Sequence, residues 1–183
     1  MPTYIALLRA INLGATRKFP KDAIIAATAA AGGTDVATYI NTGNVRVTLP
    51  QRSRAKAESV LEAAYRADRG FEVITIAVTT DELTEIAADA ADLAAESGRA
   101  GMQYVSVCKH RPSAALAREI EAAAEVYDGE RVAVRGRAIH LLLDQRDSYH
   151  QARLGNTWLE KRVGPATNRN RTVITTLAER WGR

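Results

Sequence analysis

The chain has 183 residues, 46% of them hydrophobic, so it can bury a sizeable core in one domain or in two small ones. Its formal net charge is +4, and its single cysteine, Cys108, excludes an internal disulfide, a cysteine metal cage and a CxxC redox pair. No run approaches the roughly 18 apolar residues of a membrane helix and no basic region precedes the apolar start, so we expect a cytoplasmic protein with no membrane partner.

The charges are spread unevenly along the chain. Residues 1–56 carry 8 basic and 2 acidic side chains, residues 57–152 carry 10 and 17, and residues 153–183 carry 7 and 2. If the two basic ends meet in the fold, they form a local patch that attracts anions. The alternative is a set of solvated faces of unequal charge.

The first half of the chain predicts the order strand, helix, strand, strand, helix, strand. The apolar strand TYIALLR at residues 3–9 is followed by a polar loop and by an Ala-rich helix that begins near Pro20. Two short strands, VATYI and NVRVTL, form a hairpin that turns at Gly43. An amphipathic helix at residues 53–68 precedes the strand FEVITIAV. This is the split βαβ order of ferredoxin-like folds.

The second half repeats much of that order without residue-level similarity. A connecting helix begins with Thr79 and Glu82 at capping-box spacing, and the strand MQYVSVC, the helix SAALAREIEAAAEV and a second hairpin follow. In the tail, Thr157 and Glu160 again have capping-box spacing, and NRTVITTLAERW predicts the last helix.

We therefore predict an α+β fold of two ferredoxin-like subdomains, a duplicated architecture with antiparallel or mixed sheets. The first subdomain covers residues 1–79 and the connecting helix covers residues 80–100. The second α+β subdomain, with the C-terminal helices, covers residues 101–183.

Residues that often carry chemistry are scattered. His110, His140 and His150 have no metal-ligand spacing, so we expect no metal and no other cofactor. His140 lies in the strand AIHLLL and is interpreted as a hydrogen-bonded structural histidine. Cys108 is interpreted as a buried core residue and not as a thiolate with His110 as its base, because Pro112 indicates that the strand ends there.

No G-x-S-x-G elbow, P-loop or GxGxxG occurs in the chain, so no reaction is indicated and it stays open whether the protein is an enzyme. The ferredoxin-like order is also that of RNA-recognition domains, but the first two strands offer only Tyr4 and Tyr39 for base stacking. Contact with nucleic acid is therefore expected only through arginines and the phosphate backbone.

Three polar loops remain at strand and helix ends: RAINLGATRK, NTGN and ATNRNRT. Their Asn, Thr, Gly and Arg residues tolerate tight turns and present hydrogen-bond donors. Residues 165–171 lead into the last helix, whose free N–H groups could hold an anion beside Arg169. Alternatively, the Asn and Thr side chains cap helices and turns, and Arg169 bonds to carbonyls or a carboxylate.

At these loops the sequence resembles the bacterial family known as domain of unknown function 1697. YIALLRAINLG, YINTGNVRV and LEKRVGPATNRNRTVITTLAE are similar to that family's motifs LLRGINVGG, YIQSGNVVF, and LEKxLG followed by ATTRNWNTVxKL. The resemblance implies an α+β fold and no activity, substrate or cofactor. It places the family's polar motif residues, here the candidate ligand-binding residues, at Arg9, Asn12, Gly14, Gly43, Asn44, Thr167, Arg169 and Asn170.

The chain departs from each of those three motifs. Ala10 and Ala15 stand where the family usually has glycines, Asn41-Thr42 replaces Gln-Ser, and Arg171-Thr172-Val173 stands where the family usually has Trp-Asn-Thr.

Three functions fit these observations. The favoured one is a non-catalytic module that binds a small anionic ligand or a nucleic-acid backbone at the polar loops around Arg9, Asn44 and Arg169. The second is an enzyme of unrecognised type acting on a phosphorylated or carboxylated substrate, although the three motifs hold no Asp, Glu or His as a general base. The third is a structural or partner-binding protein in which these residues form an internal hydrogen-bond network. The sequence does not fix the oligomeric state.

Overall fold

A computed structural model describes residues 1–12, 14–98, 102–144 and 151–182, so His150 lies outside the described residues. The helices and strands in these ranges are β1 Thr3–Leu8, α1 Lys21–Ala30, β2 Thr34–Tyr39, β3 Asn44–Thr48, α2 Arg54–Arg69, β4 Thr75–Thr79, α3 Thr80–Ser97, β5 Gln103–Cys108, α4 Ala114–Ala124, β6 Glu130–Arg135, β7 Ala138–Leu143, α5 Asn156–Val163, β8 Ala166–Asn170 and α6 Arg171–Trp181. Within these ranges, none of the helices combines the length and the apolar character that crossing a membrane requires.

The strands form two four-stranded sheets with the same internal order. The first is β2-β3-β1-β4 and the second is β6-β7-β5-β8. Every neighbouring pair is antiparallel. In each sheet the strand that comes first in the chain lies inside, and the strand that comes last lies at the edge beside it. This is the ferredoxin-like arrangement, so the predicted α+β fold of two such subdomains is confirmed.

The chain divides into two compact units. One comprises residues 1–83 with residues 181–182, and the other comprises residues 84–180. The division falls within α3, which begins after β4, and Glu82 N–H donates to Thr79 Oγ1 at 3.1 Å. The predicted cap at Thr79 is therefore present.

The core of the first unit lies between its sheet and the helices α1 and α2. Neighbouring residues of a strand point to opposite faces, and Tyr4, Ala6 and Leu8 of β1 all belong to this core. Phe19 and Tyr65 meet edge to face there, with ring centroids 5.3 Å apart.

The core of the second unit is built the same way. Ile139, Leu141 and Leu143 of β7 pack with Ile120 of α4 and Leu159 of α5. On the opposite face of the same sheet, Leu93 of α3 packs with Ala133 and Leu142. Both faces of β7 are buried, which explains the continuous apolar run AIHLLL.

The strand β8 is a correction to the sequence prediction, which treats ATNRNRT as a loop. Ala166–Asn170 pairs with β5, with Ala166 opposite Cys108 and Asn170 opposite Tyr104. Apart from Thr167 its residues have low strand propensity, and polar side chains lie on both faces, so no alternation of polar and apolar residues indicates a strand. Pairing with β5 supplies what the local sequence lacks, and it completes the second unit.

The second predicted capping box is also wrong. α5 begins at Asn156 with Gly155 as N-cap and no side-chain cap bond, so Thr157 lies inside the first turn. The Oε1 of Glu160 accepts the N–H of Ala166, the first residue of β8, at 3.2 Å. The sequence did not predict this strand, so it could not predict this bond.

Candidate functional site

The eight predicted residues fall into two groups, one in each unit. The first loop and the hairpin, with five of them, belong to the first unit, whereas Thr167, Arg169 and Asn170 belong to the second. Each group has its own geometry.

Asn12 joins the first loop to the hairpin. Its Nδ2 donates to the carbonyls of Phe19 (3.0 Å) and Asn41 (2.8 Å), and its Oδ1 accepts the N–H of Phe19 at 2.8 Å. Its φ of +55° is in the left-handed region that asparagine tolerates better than most residues. Both ends of the side-chain amide are therefore used inside the protein, and two of the predicted motifs are in contact.

Gly43 is where the hairpin lies against the end of β1. A Cβ added at this residue would come within 2.6 Å of Leu8 Cβ and 2.9 Å of Ile11 Cδ1. Its carbonyl accepts the N–H of Leu8 at 2.7 Å, and its φ is +77°. Close backbone approach and left-handed geometry together require glycine here.

Asn44 is fully buried and closes the hairpin from inside. Its Nδ2 donates to the Tyr39 carbonyl and to Thr42 Oγ1, both at 3.0 Å. These bonds satisfy the amide nitrogen of a side chain that would otherwise be costly to bury. The local role of Asn44 is therefore to shape the turn.

Arg9 and Gly14 are the other predicted residues of the first loop. The backbone N–H of Arg9 donates to Ile74 O at 2.9 Å, and its side chain is half-buried. Gly14 is exposed, with a φ of +67° and open space around it. Its glycine is explained by backbone geometry.

Arg17 is a loop residue that the sequence reasoning missed. Its Nε donates to Ala10 O at 2.8 Å, its Nη2 donates to Glu72 O, and its guanidinium lies 4.8 Å from the centre of the Phe71 ring. It therefore ties the first loop to the segment before β4. In the sequence it appears only as one basic residue of TRK, with no pattern that marks its partners.

Arg169 is the most buried cation of the predicted set, with 8% of its surface exposed. Its Nη1 donates to Thr167 Oγ1 at 2.9 Å and to Asn168 O at 2.7 Å. Desolvation lowers the pKa of Arg169 to about 10, so the guanidinium keeps its charge at neutral pH. The predicted pair Thr167 and Arg169 is thus brought together on one strand.

Asn170 caps the last helix. Its Oδ1 accepts the N–H of Val173 at 2.9 Å. The helix start that the sequence offers as an anion site is therefore occupied in part by the chain's own side chain, as the alternative interpretation expects.

Two residues that could carry chemistry, Cys108 and His140, are buried. Cys108 is buried, and burial raises the pKa of its thiol to about 12, whereas His110 is exposed. The interpretation of Cys108 as a core residue is confirmed. His140 is also fully buried, with Nδ1 3.4 Å from Gln103 Nε2.

A cavity of about 430 Å³ opens at the start of α5. Two cationic side chains, Arg153 and Lys161, line it together with Thr157, and Gly155 leaves the helix start without a side-chain cap. The guanidinium of Arg162 stacks 3.6 Å from the ring centre of Trp158, which also lines the cavity. The sequence reasoning missed this cavity because its residues were assigned only to a helix start.

A second cavity, of about 400 Å³, has the opposite charge. The acidic residues Asp128, Glu130 and Asp144 line it. The Glu130 carboxylate already accepts the N–H groups of Arg153 (2.7 Å) and Leu154 (3.0 Å). Across the described ranges, no group of three or more His, Cys, Asp or Glu side chains is placed to hold a metal ion.

Fold and motifs define a chain of two ferredoxin-like α+β units that carry polar motif residues. The chain belongs to DUF1697, a family of proteins of unknown function whose sequence pattern matches residues 1–140. The match includes the first loop and the hairpin, whereas Thr167, Arg169 and Asn170 lie beyond its end.

The fold is similar to that of the conserved bacterial protein SP0830 from Streptococcus pneumoniae. The TM-score is 0.72 over 99% of this chain and 98% of that chain, with 20% sequence identity. At this identity the similarity concerns the fold. No curated protein matches the chain.

Proposed function

We propose that the protein is a non-catalytic module that binds a small anionic ligand through a phosphate or carboxylate group. The observation that carries this proposal is the cavity at the start of α5, where Arg153 and Lys161 line the same space. An anion there meets two cationic side chains, the Thr157 hydroxyl and the positive end of a helix. The volume of the cavity, about 430 Å³, suits a small ligand.

The polar motif residues have a different role in this proposal, which is to hold the shape of the loops. Asn12, Gly43 and Asn44 fix the shape of the first loop and the hairpin through the bonds described above. Arg9 and Arg169 are the two cationic residues of the motifs. Each can bind a phosphate or a carboxylate, since a guanidinium binds either group with two parallel hydrogen bonds.

The burial of residues on the sheet face opposite the helices favours a small ligand over a nucleic-acid strand. RNA-recognition domains stack bases on exposed aromatics on the sheet face opposite their helices. On that face, Ile5 and Leu7 of β1 and Val105 and Val107 of β5 are aliphatic and fully buried, so neither strand presents an exposed aromatic there.

The position of the perturbed titratable groups supports a non-catalytic role over the enzyme alternative. Functional sites commonly place groups with shifted pKa values in a cleft. Here burial raises the pKa of Tyr65 and of Cys108 to about 12 and lowers the pKa of His140 to about 4. None of these three residues lines either cavity described above.

Thermal unfolding with inorganic phosphate tests the proposal. We expect phosphate at about 100 times its Kd to raise the Tm of the unmodified protein by about 5–10 °C. The double variant Arg153→Gln/Lys161→Gln should lose this shift. Arg118→Gln, which removes an exposed cation from α4, should retain it.

The other outcomes are equally informative. No stabilisation of the unmodified protein by phosphate, by carboxylates or by nucleotides rejects the function. If the phosphate-induced rise in Tm persists in the double variant and disappears in Arg169→Met, the anion binds at β8 and not at α5. Salt-sensitive retention of short nucleic acids would favour a backbone-binding module instead.

The contacts of Asn12 favour a second candidate function, a structural or partner-binding protein whose motif residues lock each unit internally. A hydrogen-bonded network of this kind rigidifies a fold without holding a ligand. Arg169→Ala separates the two functions. A marked fall in Tm supports the network, whereas an unchanged Tm contradicts it.

A further inference from the structure

The face of the second sheet opposite α4 and α5 contains an unusual polar pair. His140 lies opposite Val105 in the β5–β7 register, and Gln103 lies one pleat further along β5 on the same face. His140 is 0% exposed and Gln103 is 6% exposed. Around them, Leu93, Ala133 and Leu142 form an apolar cluster.

The contact within the pair determines which ring nitrogen carries the proton. Gln103 Nε2 lies 3.4 Å from His140 Nδ1, and an amide nitrogen can only donate, so Nδ1 accepts. Burial lowers the pKa of His140 to about 4, with Arg135 as a smaller cause, so the ring is neutral at pH 7. A neutral ring whose Nδ1 accepts carries its proton on Nε2.

Two polar atoms of the pair are left without a partner in the described part of the chain. His140 Nε2 and Gln103 Oε1 are both buried, and neither has a hydrogen-bond partner among the residues that the structure describes. One is a donor and the other is an acceptor. Leaving both unsatisfied in an apolar setting is unfavourable, and buried polar groups of this kind are usually satisfied by ordered water.

We propose that His140 and Gln103 form a binding site for internal water in the second unit, with Nε2–H of His140 as donor and Oε1 of Gln103 as acceptor. Water suits both atoms because its oxygen can accept the ring N–H and its hydrogens can be donated to the amide oxygen. The site is distinct from the proposed anion cavity, whose residues belong to α5 and the segment before it.

Imidazole ¹⁵N–¹H correlation spectra of the full chain at pH 7 test this proposal. The variants His110→Gln and His150→Gln identify the His140 signals by elimination. We expect the Nε2–H tautomer, with a cross-peak between this proton and the water resonance. The Nδ1–H tautomer, or an Nε2–H proton without a water cross-peak, would overturn the proposal.

A crystal structure provides an independent measurement. We expect a well-ordered water oxygen within about 3.2 Å of Nε2. A high-resolution map with clear density for both side chains and none for water at Nε2 contradicts the site. Gln103→Met serves as the matched variant, because it removes both polar atoms of the amide and keeps the length of the side chain. It should weaken the water cross-peak of His140, and an unchanged cross-peak would exclude Gln103 from the site.

Discussion

At the scale of single residues, the first loop is held by backbone geometry that few side chains adopt. Ala10 has a φ of +54°, and Asn12 and Gly14 also have positive φ values. For an alanine this conformation brings Cβ close to the following carbonyl oxygen, at a cost of roughly 1–2 kcal/mol. The family's usual glycine at this position is therefore explained by the fold of the loop.

We expect Ala10→Gly to raise the free energy of unfolding by about 0.5–1 kcal/mol, because relief of the strained φ outweighs the added freedom of the unfolded chain. Ala15→Gly is the matched control from the same loop, since the family usually has glycine there too but the φ of Ala15 is not positive. Urea denaturation measures both variants. Equal effects at the two positions would refute the explanation.

At the scale of elements, glutamates on helices close the edges of both sheets. Glu58 and Glu62 lie one turn apart on α2, and their Oε1 atoms accept the N–H groups of Ala77 (2.9 Å) and Thr75 (2.8 Å) on the edge strand β4. The spacing works because four helical residues rise about 6 Å and two strand residues about 6.8 Å. In the second unit, Glu121 does the same for Val134 of β6.

Edge closure by Glu58 predicts a substantial loss of stability when its acceptor is removed. Glu58 is 3% exposed. Glu58→Met should lower the free energy of unfolding by about 2–3 kcal/mol, because it leaves the Ala77 N–H unsatisfied. Amide hydrogen exchange at Ala77 should accelerate as well.

Glu58→Gln distinguishes the acceptor from the charge. Its amide oxygen can still accept from Ala77, so we expect a much smaller loss than in Glu58→Met. If the two variants are equally unstable, the charge and its 4.0 Å pairing with Arg54 are responsible instead.

The strands also show which parts of the fold the sequence alone could predict. The alternation in NVRVTL and the apolar run of β1 predict their strands, because burial on one or both faces leaves a pattern. The polar residues of β8 leave none, since its place is set by pairing with β5. The proposed anion cavity is harder to predict than the strands, because the spacing of Arg153 and Lys161 on either side of Gly155 matches no motif.

At the scale of the whole molecule, His140 links stability to pH. Burial, and secondarily Arg135, lower its pKa from 6.5 to about 4 in the folded protein, so between these values the unfolded chain binds more protons than the folded one. The contribution of His140 to the free energy of unfolding is fully present above pH 6.5 and is lost as the pH falls toward 4.

We therefore expect the free energy of unfolding to fall by about 3 kcal/mol through His140 between pH 7 and pH 4. Urea denaturation at pH 7, 5 and 4 measures this loss against His140→Leu, which lacks the titrating group but retains the carboxylates. An identical pH dependence in the two proteins would contradict the assignment. NMR titration provides a second check, because the His140 ring should not titrate between pH 5 and pH 8.

The position of each central strand has a consequence for synthesis on the ribosome. Residues 3–8 are made first but pair with residues 75–79, and residues 103–108 likewise pair with residues 166–170. At about 5–20 residues per second, each unit spends several seconds with one side of its central strand exposed. During that interval another nascent chain can take the vacant place, so slow codons or crowded polysomes would favour aggregation before either sheet is complete.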